Sequence, residues 1–182
     1  MRHGAQNPGA VIWTWIESPL GPMLAMSDGD ALSGLHFHDD KYVPHIASEW
    51  QRDDRLPLFR QTGIEVAEYF AGQRRRFDLP LAPEGTDWQQ RVWQVLVTIP
   101  FGETTTYGAM AATLGNRNAS RAVGAANGRN PIAVVIPCHR AIGADGSLTG
   151  YAGGLGRKQA LLELEGVVPG EDSQGSLAWS AP

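Results

Sequence analysis

Apolar and polar residues alternate over three short segments near the start of the chain. These segments, residues 11–16, 23–27 and 31–37, are separated by Ser-Pro-Leu-Gly-Pro and by Asp-Gly-Asp, both of which favour turns. Alternation of this kind is typical of strands with one buried face. The pattern therefore predicts a three-stranded antiparallel sheet connected by tight turns.

A helical pattern follows the predicted sheet. Phe59, Ile64, Ala67 and Phe70 recur at roughly helical spacing, which predicts a helix over residues 58–72.

The segment after this helix marks a boundary. Residues 74–85 contain two prolines and a glycine, a composition typical of a linker. We therefore divide the chain into an N-terminal α/β domain over residues 11–83 and a C-terminal domain over residues 84–168. Residues 1–10 and 169–182 are rich in Gly, Pro and polar side chains, and we expect both ends to be disordered.

Helical patterns dominate the C-terminal domain. Thr86-Asp87-Trp88-Gln89 is a capping-box sequence that begins a helix ending before Pro100. Two further helices, over residues 106–114 and 119–127, are separated by a turn that contains glycine, and a last helix covers residues 157–165. Two short helices across such a turn predict a helix-turn-helix. The predicted fold class is α+β, with a mainly helical C-terminal domain that also carries the chain's cysteine.

Basic residues are concentrated in the second half. The chain has 15 Lys and Arg against 19 Asp and Glu, a net charge of −4. Residues 115–158 hold six basic side chains and one acid, a charge of +5, which leaves nine basic and eighteen acidic residues elsewhere, a charge of −9. A DNA-facing surface on an acidic protein would produce this asymmetry, although a basic segment is often only a solvated face.

The chain has a single cysteine, Cys138. It cannot form an internal disulfide, so a reducing compartment is the natural setting. No apolar run approaches the roughly 20 residues that cross a bilayer, and the N-terminus lacks a secretion-signal pattern. We expect a cytoplasmic protein without a membrane segment. We also expect no metal site, because His36, His38 and His45 are more simply strand-end and loop residues.

Two features have more than one interpretation from the residues alone. Cys138 precedes His139 and Arg140, which would favour a reactive thiolate, yet most lone intracellular cysteines are inert buried thiols. Around Arg121, residues 119–126 are almost all small. Small residues suit either a helix that lies close to DNA with Arg121 in the base stack, or tight packing between helices.

From Trp88 to Gly166, a series of short motifs occurs in a fixed order. The motifs are Phe101-Gly102-Glu103, Thr106-Tyr107, Ser120-Arg121-Ala122-Val123-Gly124, Asn130-Pro131, Ile136-Pro137-Cys138-His139-Arg140, Thr149-Gly150-Tyr151-Ala152-Gly153-Gly154 and Leu161-Leu162-Glu163-Leu164-Glu165-Gly166. This series resembles the O6-alkylguanine-DNA alkyltransferases, also called methylated-DNA-protein-cysteine methyltransferases. The first 83 residues resemble the family's variable N-terminal domain more loosely.

The resemblance implies a reaction and a role for each matching residue. The reaction is direct-reversal DNA repair, in which the alkyl group of O6-alkylguanine passes to Cys138 in a single turnover. O4-alkylthymine is a second candidate substrate. His139 would activate the thiol through a water, and Glu165 would stabilise the imidazolium. Asn130 would brace the turn that carries the cysteine, and Tyr107 would crowd the adjacent phosphate and assist the departure of guanine.

The resemblance also implies how DNA is bound. The protein would bind the duplex through the minor groove and extrude the damaged nucleotide, with Arg121 in its place, because a stacked base cannot reach a nucleophile in a closed pocket. The residues implied in DNA binding are Arg121, Tyr107, Ser120, Ala122, Arg129 and Arg140. Those implied in the base pocket are Tyr151, Ala152 and Gly153.

Two departures from the family pattern affect these expectations. Ala152 stands where some members have serine, so only a backbone amide could bond to guanine O6 at this position. The N-terminal half offers no cysteine for the zinc site of some members. We expect a monomer that binds double-stranded DNA and uses no cofactor. The alternatives are a sensor of alkylated DNA, whose known examples lack the cysteine, and a cysteine hydrolase built on Cys138 and His139.

Overall fold

A computed structural model describes residues 10–168, and the first half of this range is built on a four-stranded sheet. The strands are β1 (Ile12–Ile16), β2 (Met23–Ser27), β3 (Leu32–Phe37) and β4 (Gln51–Arg52), in the spatial order β3-β2-β1-β4. The first three strands are antiparallel, as the alternating pattern predicted. They place their apolar residues in a shared core with helix α1 (Pro57–Phe70).

Strand β4 corrects the predicted sheet. It pairs in parallel with β1, so that the sheet is mixed and not purely antiparallel. Its two residues, Gln51 and Arg52, are exposed and polar, and a strand this short has no alternating pattern to detect. The pairing is set by the chain that returns beside β1, where Gln51 N donates to Val11 O at 2.9 Å.

Four helices and a small parallel pair of strands form the second half. In chain order they are α2 (Asp87–Val97), β5 (Thr105–Thr106), α3 (Tyr107–Thr113), α4 (Ser120–Gly128), β6 (Ala141–Ile142) and α5 (Leu155–Leu164), with a 3-10 segment over Cys138–Arg140. The predicted capping box is present, because Thr86 and Gln89 exchange hydrogen bonds at the start of α2. The last helix begins at Leu155, two residues before its predicted start. Gly154 precedes it with a φ of 95°, a backbone conformation that glycine adopts readily.

The two halves share one apolar core through the segment that leads to the cysteine. Leu35 N on β3 donates to Pro131 O at 2.8 Å, and Ala133 N donates to Leu35 O at 2.8 Å. Ile132 and Ile136 are fully buried against residues of both halves. The sheet of the first half therefore supports the segment before Cys138.

Two absences can be stated for residues 10–168. No helix among them is both long and apolar enough to span a bilayer. They also contain no group of three or more His, Cys, Asp or Glu side chains arranged to hold a metal ion. The disorder expected for residues 1–10 and 169–182 concerns segments that, apart from Ala10, lie outside the described residues.

Candidate active site

Cys138 begins the 3-10 segment at the end of a turn that starts after α4. The residue is 6% exposed. Its carbonyl accepts a hydrogen bond from Asn127 Nδ2 on α4 at 3.4 Å. The cysteine is thus fixed between the core and helix α4.

Asn130 holds both ends of the turn that precedes Cys138. Its Oδ1 accepts from Ile132 N at 3.0 Å, and its Nδ2 donates to Ile136 O at 2.8 Å. Between them, Val134 has a φ of 71°, a left-handed conformation that disfavours a β-branched residue by about 1–3 kcal/mol. The hydrogen bonds of the Asn130 side chain therefore hold the turn in this strained conformation.

His139 and Glu165 form a buried pair. His139 Nε2 lies 2.5 Å from Glu165 Oε2, and both side chains are fully buried. Arg140 adds two bonds to the same carboxylate, from Nε to Oε1 at 2.7 Å and from Nη2 to Oε2 at 3.2 Å. Gly102 N reaches Oε1 at 3.2 Å, and Tyr69 Oη of α1 donates to Oε2 at 2.6 Å.

These contacts determine the charges of the pair. Burial alone would raise the pKa of Glu165, but hydrogen bonds and charge from His139, Arg140 and Tyr69 outweigh it and lower that pKa to about 2. Burial lowers the pKa of His139 below its ordinary value, against the opposing effect of Glu165. The imidazole is then neutral near pH 7 and donates from Nε2 to the carboxylate. Nδ1, which has no hydrogen-bond partner within residues 10–168, keeps its lone pair and can accept a proton.

The Cys138 thiol is protonated at rest. Burial raises its pKa to about 11, although the Asn130 side chain and the charge of Lys158 oppose this shift. Lys158 on α5 is itself fully buried, and its Nζ donates to Ala141 O at 2.6 Å and to Thr149 O at 2.9 Å. Burial lowers the pKa of Lys158 to about 8, so the ammonium remains mostly charged at neutral pH. A thiolate at Cys138 would form beside this positive charge.

Tyr107 and the residues expected in the base pocket, which are Tyr151, Ala152 and Gly153, come from the start of α3 and from the loop before α5, and a thiolate at Cys138 would raise the pKa of both tyrosines. Tyr107 is half-buried at the start of α3 and donates from Oη to Thr149 O at 2.9 Å. The hydroxyl of Tyr151 is buried and, among the described residues, has no hydrogen-bond partner. Ala152 O accepts from Lys41 N at 3.0 Å. A Cβ on Gly153 would lie 2.9 Å from Tyr151 and 3.0 Å from Phe37, so glycine permits the close packing here.

The residues expected to contact DNA fall into two groups. Arg121 and Ala122 are exposed on α4, and Ser120 is half-buried at its first position. Arg129 is exposed just after α4, with its guanidinium 3.9 Å from the ring centre of Tyr42. These four residues can reach a ligand outside the protein.

Arg140 differs from the expectation that it contacts DNA. It is 6% exposed, and its guanidinium is held by Glu165 and, through Nη1, by Ile99 O at 2.5 Å. The number of basic residues in a segment does not tell whether an arginine points outward or neutralises a buried carboxylate. Arg140 therefore belongs to the pair of His139 and Glu165 and not to an exposed basic surface.

Sequence reasoning missed two contributors to the site. Lys158 was counted only as a surface charge, and Tyr69 was not singled out at all. The Tyr69–Glu165 hydrogen bond joins residues 96 positions apart. No local pattern signals a contact of that range, and a buried tyrosine on a helix is indistinguishable in sequence from core packing.

Comparison with known proteins identifies the family. Sequence profiles described as "6-O-methylguanine DNA methyltransferase, ribonuclease-like domain" and "6-O-methylguanine DNA methyltransferase, DNA binding domain" match residues 11–83 and 87–167. A methylated-DNA–protein-cysteine methyltransferase of Methanosarcina acetivorans is 49% identical over 150 residues, which cover 82% of this chain and 95% of that protein. The chain belongs to the 6-O-methylguanine DNA methyltransferase family. A member from Haemophilus influenzae is 43% identical over 159 residues, covering 87% of this chain and 88% of its own.

Solved structures of the 6-O-methylguanine DNA methyltransferase family have the same fold. The Mycobacterium tuberculosis O6-methylguanine methyltransferase superposes with a TM-score of 0.78 at 48% identity, over 85% of this chain and 92% of that one. A Mycobacterium tuberculosis OGT crystallised in complex with DNA superposes with a TM-score of 0.79 at 47% identity. The superposition covers 85% of this chain and 93% of that one. The α+β fold class, the family and its function, DNA repair by transfer of the alkyl group of O6-methylguanine to a cysteine, are thereby confirmed.

Proposed function

We propose that Cys138 is the acceptor in a single-turnover repair of O6-alkylguanine, and of O4-alkylthymine, in double-stranded DNA. One observation carries the assignment: the family transfers the alkyl group to a cysteine, and this chain has only one. The same residue lies beside a histidine whose free ring nitrogen can accept a proton.

The buried groups support a mechanism of direct displacement. His139 Nδ1 takes the thiol proton through a water, and the Cys138 sulfur attacks the alkyl carbon as the bond from that carbon to guanine O6 breaks. The electron pair leaves with guanine, whose departure Tyr107 assists. Glu165 stabilises the imidazolium, and Lys158 stabilises the developing thiolate. The product is a thioether, which water does not cleave under mild conditions, so each molecule reacts once and no cofactor is consumed.

The exposed face of α4 supports a proposal for DNA binding. A monomer binds the minor groove with α4, Ser120 and Ala122 allow close approach to the backbone, and Arg121 occupies the position of the extruded nucleotide. Arg129 contributes charge next to the helix. The flipped base enters beside Tyr151, Gly153 and the backbone at Ala152. The free thiol that this chemistry requires fits a cytoplasmic setting.

Stoichiometric labelling tests this function. We expect a duplex that contains O6-methylguanine to add one methyl group per protein molecule, found by peptide mass analysis on Cys138. Cys138→Ala should lose transfer and keep its affinity for the duplex, because a sulfur removed from a buried site leaves the exposed face of α4 unchanged.

Three results would contradict the proposal. Label on a peptide other than that of Cys138 would remove the acceptor. Repeated turnover on an ester or a peptide would indicate a hydrolase. Loss of DNA binding in Cys138→Ala would show that the assigned DNA face is wrong.

A further inference from the structure

A side chain of the N-terminal half donates a hydrogen bond to the Glu165 carboxylate. Tyr69 lies near the end of α1 and is fully buried, and its hydroxyl donates to Glu165 Oε2 at 2.6 Å. This is the same oxygen that His139 Nε2 contacts at 2.5 Å. The phenol and the imidazole therefore share one acceptor atom.

The tyrosine ring is held so that its hydroxyl has a fixed position. Phe70 packs edge-on at 5.2 Å between ring centres, Phe101 packs edge-on at 6.1 Å, and Phe77 lies tilted at 5.4 Å. These three rings come from α1, from the loop after α2 and from the segment between the two halves. Burial, and then the charge of Glu165, raise the pKa of Tyr69 well above its ordinary value, so the hydroxyl stays protonated and remains a donor.

A donor on a carboxylate reduces the negative charge available to its other partners. When His139 becomes an imidazolium, its stabilisation depends on the charge left on Oε2. The hydroxyl of Tyr69 withdraws part of that charge and, together with Arg140 and Gly102, holds the carboxylate in place. It thereby sets both the orientation of His139 and how strongly the imidazole holds a proton.

We propose that Tyr69 is a positioning residue of the alkyl-transfer reaction, acting through Glu165 to fix His139 and to limit its affinity for a proton. This inference rests on the proposed function of Cys138 and His139. It gives the N-terminal half a defined part in the chemistry of the C-terminal half.

Other ionisable groups also face the pair and have to be constant in any test. They come from three segments outside α1 and are Arg140 in the 3-10 segment, Tyr151 in the loop before α5 and Lys158 on α5. A substitution that removes only the hydroxyl of Tyr69 leaves all of these groups in place. Tyr69→Phe is that substitution.

The decisive experiment measures methyl transfer to Cys138 against pH for the unmutated protein and for Tyr69→Phe. The acid-side midpoint of the rate reports protonation of His139, and we expect it to move to higher pH by roughly half a unit to one unit. The histidine ring signals in nuclear magnetic resonance should show the same upward shift for His139. Thr62→Val is the matched control, because it removes another fully buried hydroxyl of α1, bonded to Leu58 O at 2.8 Å, that has no link to Glu165.

The outcomes separate this inference from the proposed function. If the unmutated protein does not label Cys138, the proposed function is wrong. If it does, and Tyr69→Phe keeps the midpoint of the unmutated protein or shifts no more than Thr62→Val, the role of Tyr69 is overturned. Should Tyr69→Phe not fold, ¹³C-labelled tyrosine in the unmutated protein decides. The Tyr69 ring signal must then move at the titration midpoint of His139. A ring signal that does not move there also overturns the role of Tyr69.

Discussion

At the scale of single residues, the Glu165 carboxylate determines the electrostatics of the site. Within the described part of the chain, five donor groups from four residues surround it. Because a buried carboxylate needs such partners to stay ionised, its low pKa is a direct result of this arrangement. The same arrangement links the stability of the fold to pH.

We expect the free energy of unfolding to decrease on acidification. The pKa of Glu165 is about 2 in the folded protein and near 4.5 when unfolded, so its contribution is complete above pH 4.5 and is lost as the pH falls towards 2. That contribution amounts to about 3 kcal/mol, from 1.36 kcal/mol per pKa unit. The lowered pKa of His139 acts in the same direction from pH 6.5 downward, since the unfolded chain takes up the proton first. Urea unfolding measured from pH 7 down to about pH 2 follows both decreases, the His139 effect below pH 6.5 and the Glu165 effect below pH 4.5.

Glu165→Gln and Glu163→Gln separate this effect from general acid sensitivity. Glu165→Gln should be less stable at pH 7 by about 3–5 kcal/mol, because Arg140 loses its buried partner, and should depend less on pH below 4.5. Glu163 is half-buried, and its carboxylate bonds only to Gln159 among the described residues, so Glu163→Gln should keep the slope of the unmutated protein. Equal slopes in both variants would refute the assignment to Glu165.

The sequence predicted part of this site. Cys138, His139, Glu165 and Asn130 stand in motifs whose order is specific, and the structure brings them together. Tyr69 could not be found this way, because its role arises from a contact between distant parts of the chain. Arg140 was expected to contact DNA and is buried against Glu165, because neither a motif nor a count of charges carries information on the direction of a side chain.

At the scale of elements, the turn before Cys138 combines strain with restraint. Val134 is left-handed, and the Asn130 side chain connects both ends of the turn. Elements with a strong periodic or capping pattern, such as β1 to β3 and α2, were predictable. This turn and β4 were not, because an irregular segment and a two-residue strand have no period to detect.

Asn130→Asp tests the restraint on the turn. The carboxylate cannot donate to Ile136 O, which would remain buried without its partner, and it adds a negative charge beside the thiol. We expect the free energy of unfolding to fall by about 2 kcal/mol or more, and methyl transfer to slow. Urea unfolding and single-turnover rates measure the two effects. Asn118→Asp, at an exposed position in the turn before α4, should change neither, and an equal effect in both variants would argue against the role of Asn130.

At the scale of the whole molecule, the structure shows how much of the positive charge of residues 115–158 lies at the surface. Of the six basic residues between positions 115 and 158, Arg140 and Lys158 are buried, and Arg157 bonds to Asp39 and to the carbonyls of Leu20 and Gly153. The exposed positive charge of residues 115–158 is therefore limited to three arginines around α4: Arg117, Arg121 and Arg129. This smaller set makes each of them more important for binding DNA.

Arg121→Ala tests the proposed DNA face. We expect transfer from a methylated duplex to slow about tenfold, because the extruded nucleotide loses its replacement in the stack. Transfer from the free base O6-methylguanine should be unchanged, since the base needs no extrusion. Arg60→Ala, an exposed arginine on α1, is the control and should behave as the unmutated protein on both substrates. Equal losses on duplex and free base would place Arg121 in the pocket instead.

The hydrogen bond from α1 to Glu165 has a consequence for the size of the smallest active unit. A fragment that begins at the linker would contain the cysteine, the histidine and the glutamate, and would still lack the hydroxyl that completes the carboxylate's environment. It would also expose the aromatic rings that hold this hydroxyl in place. If Tyr69 acts as proposed, the half of the chain that carries α1 takes part in alkyl transfer, and removing it should impair the chemistry before it affects contact with DNA.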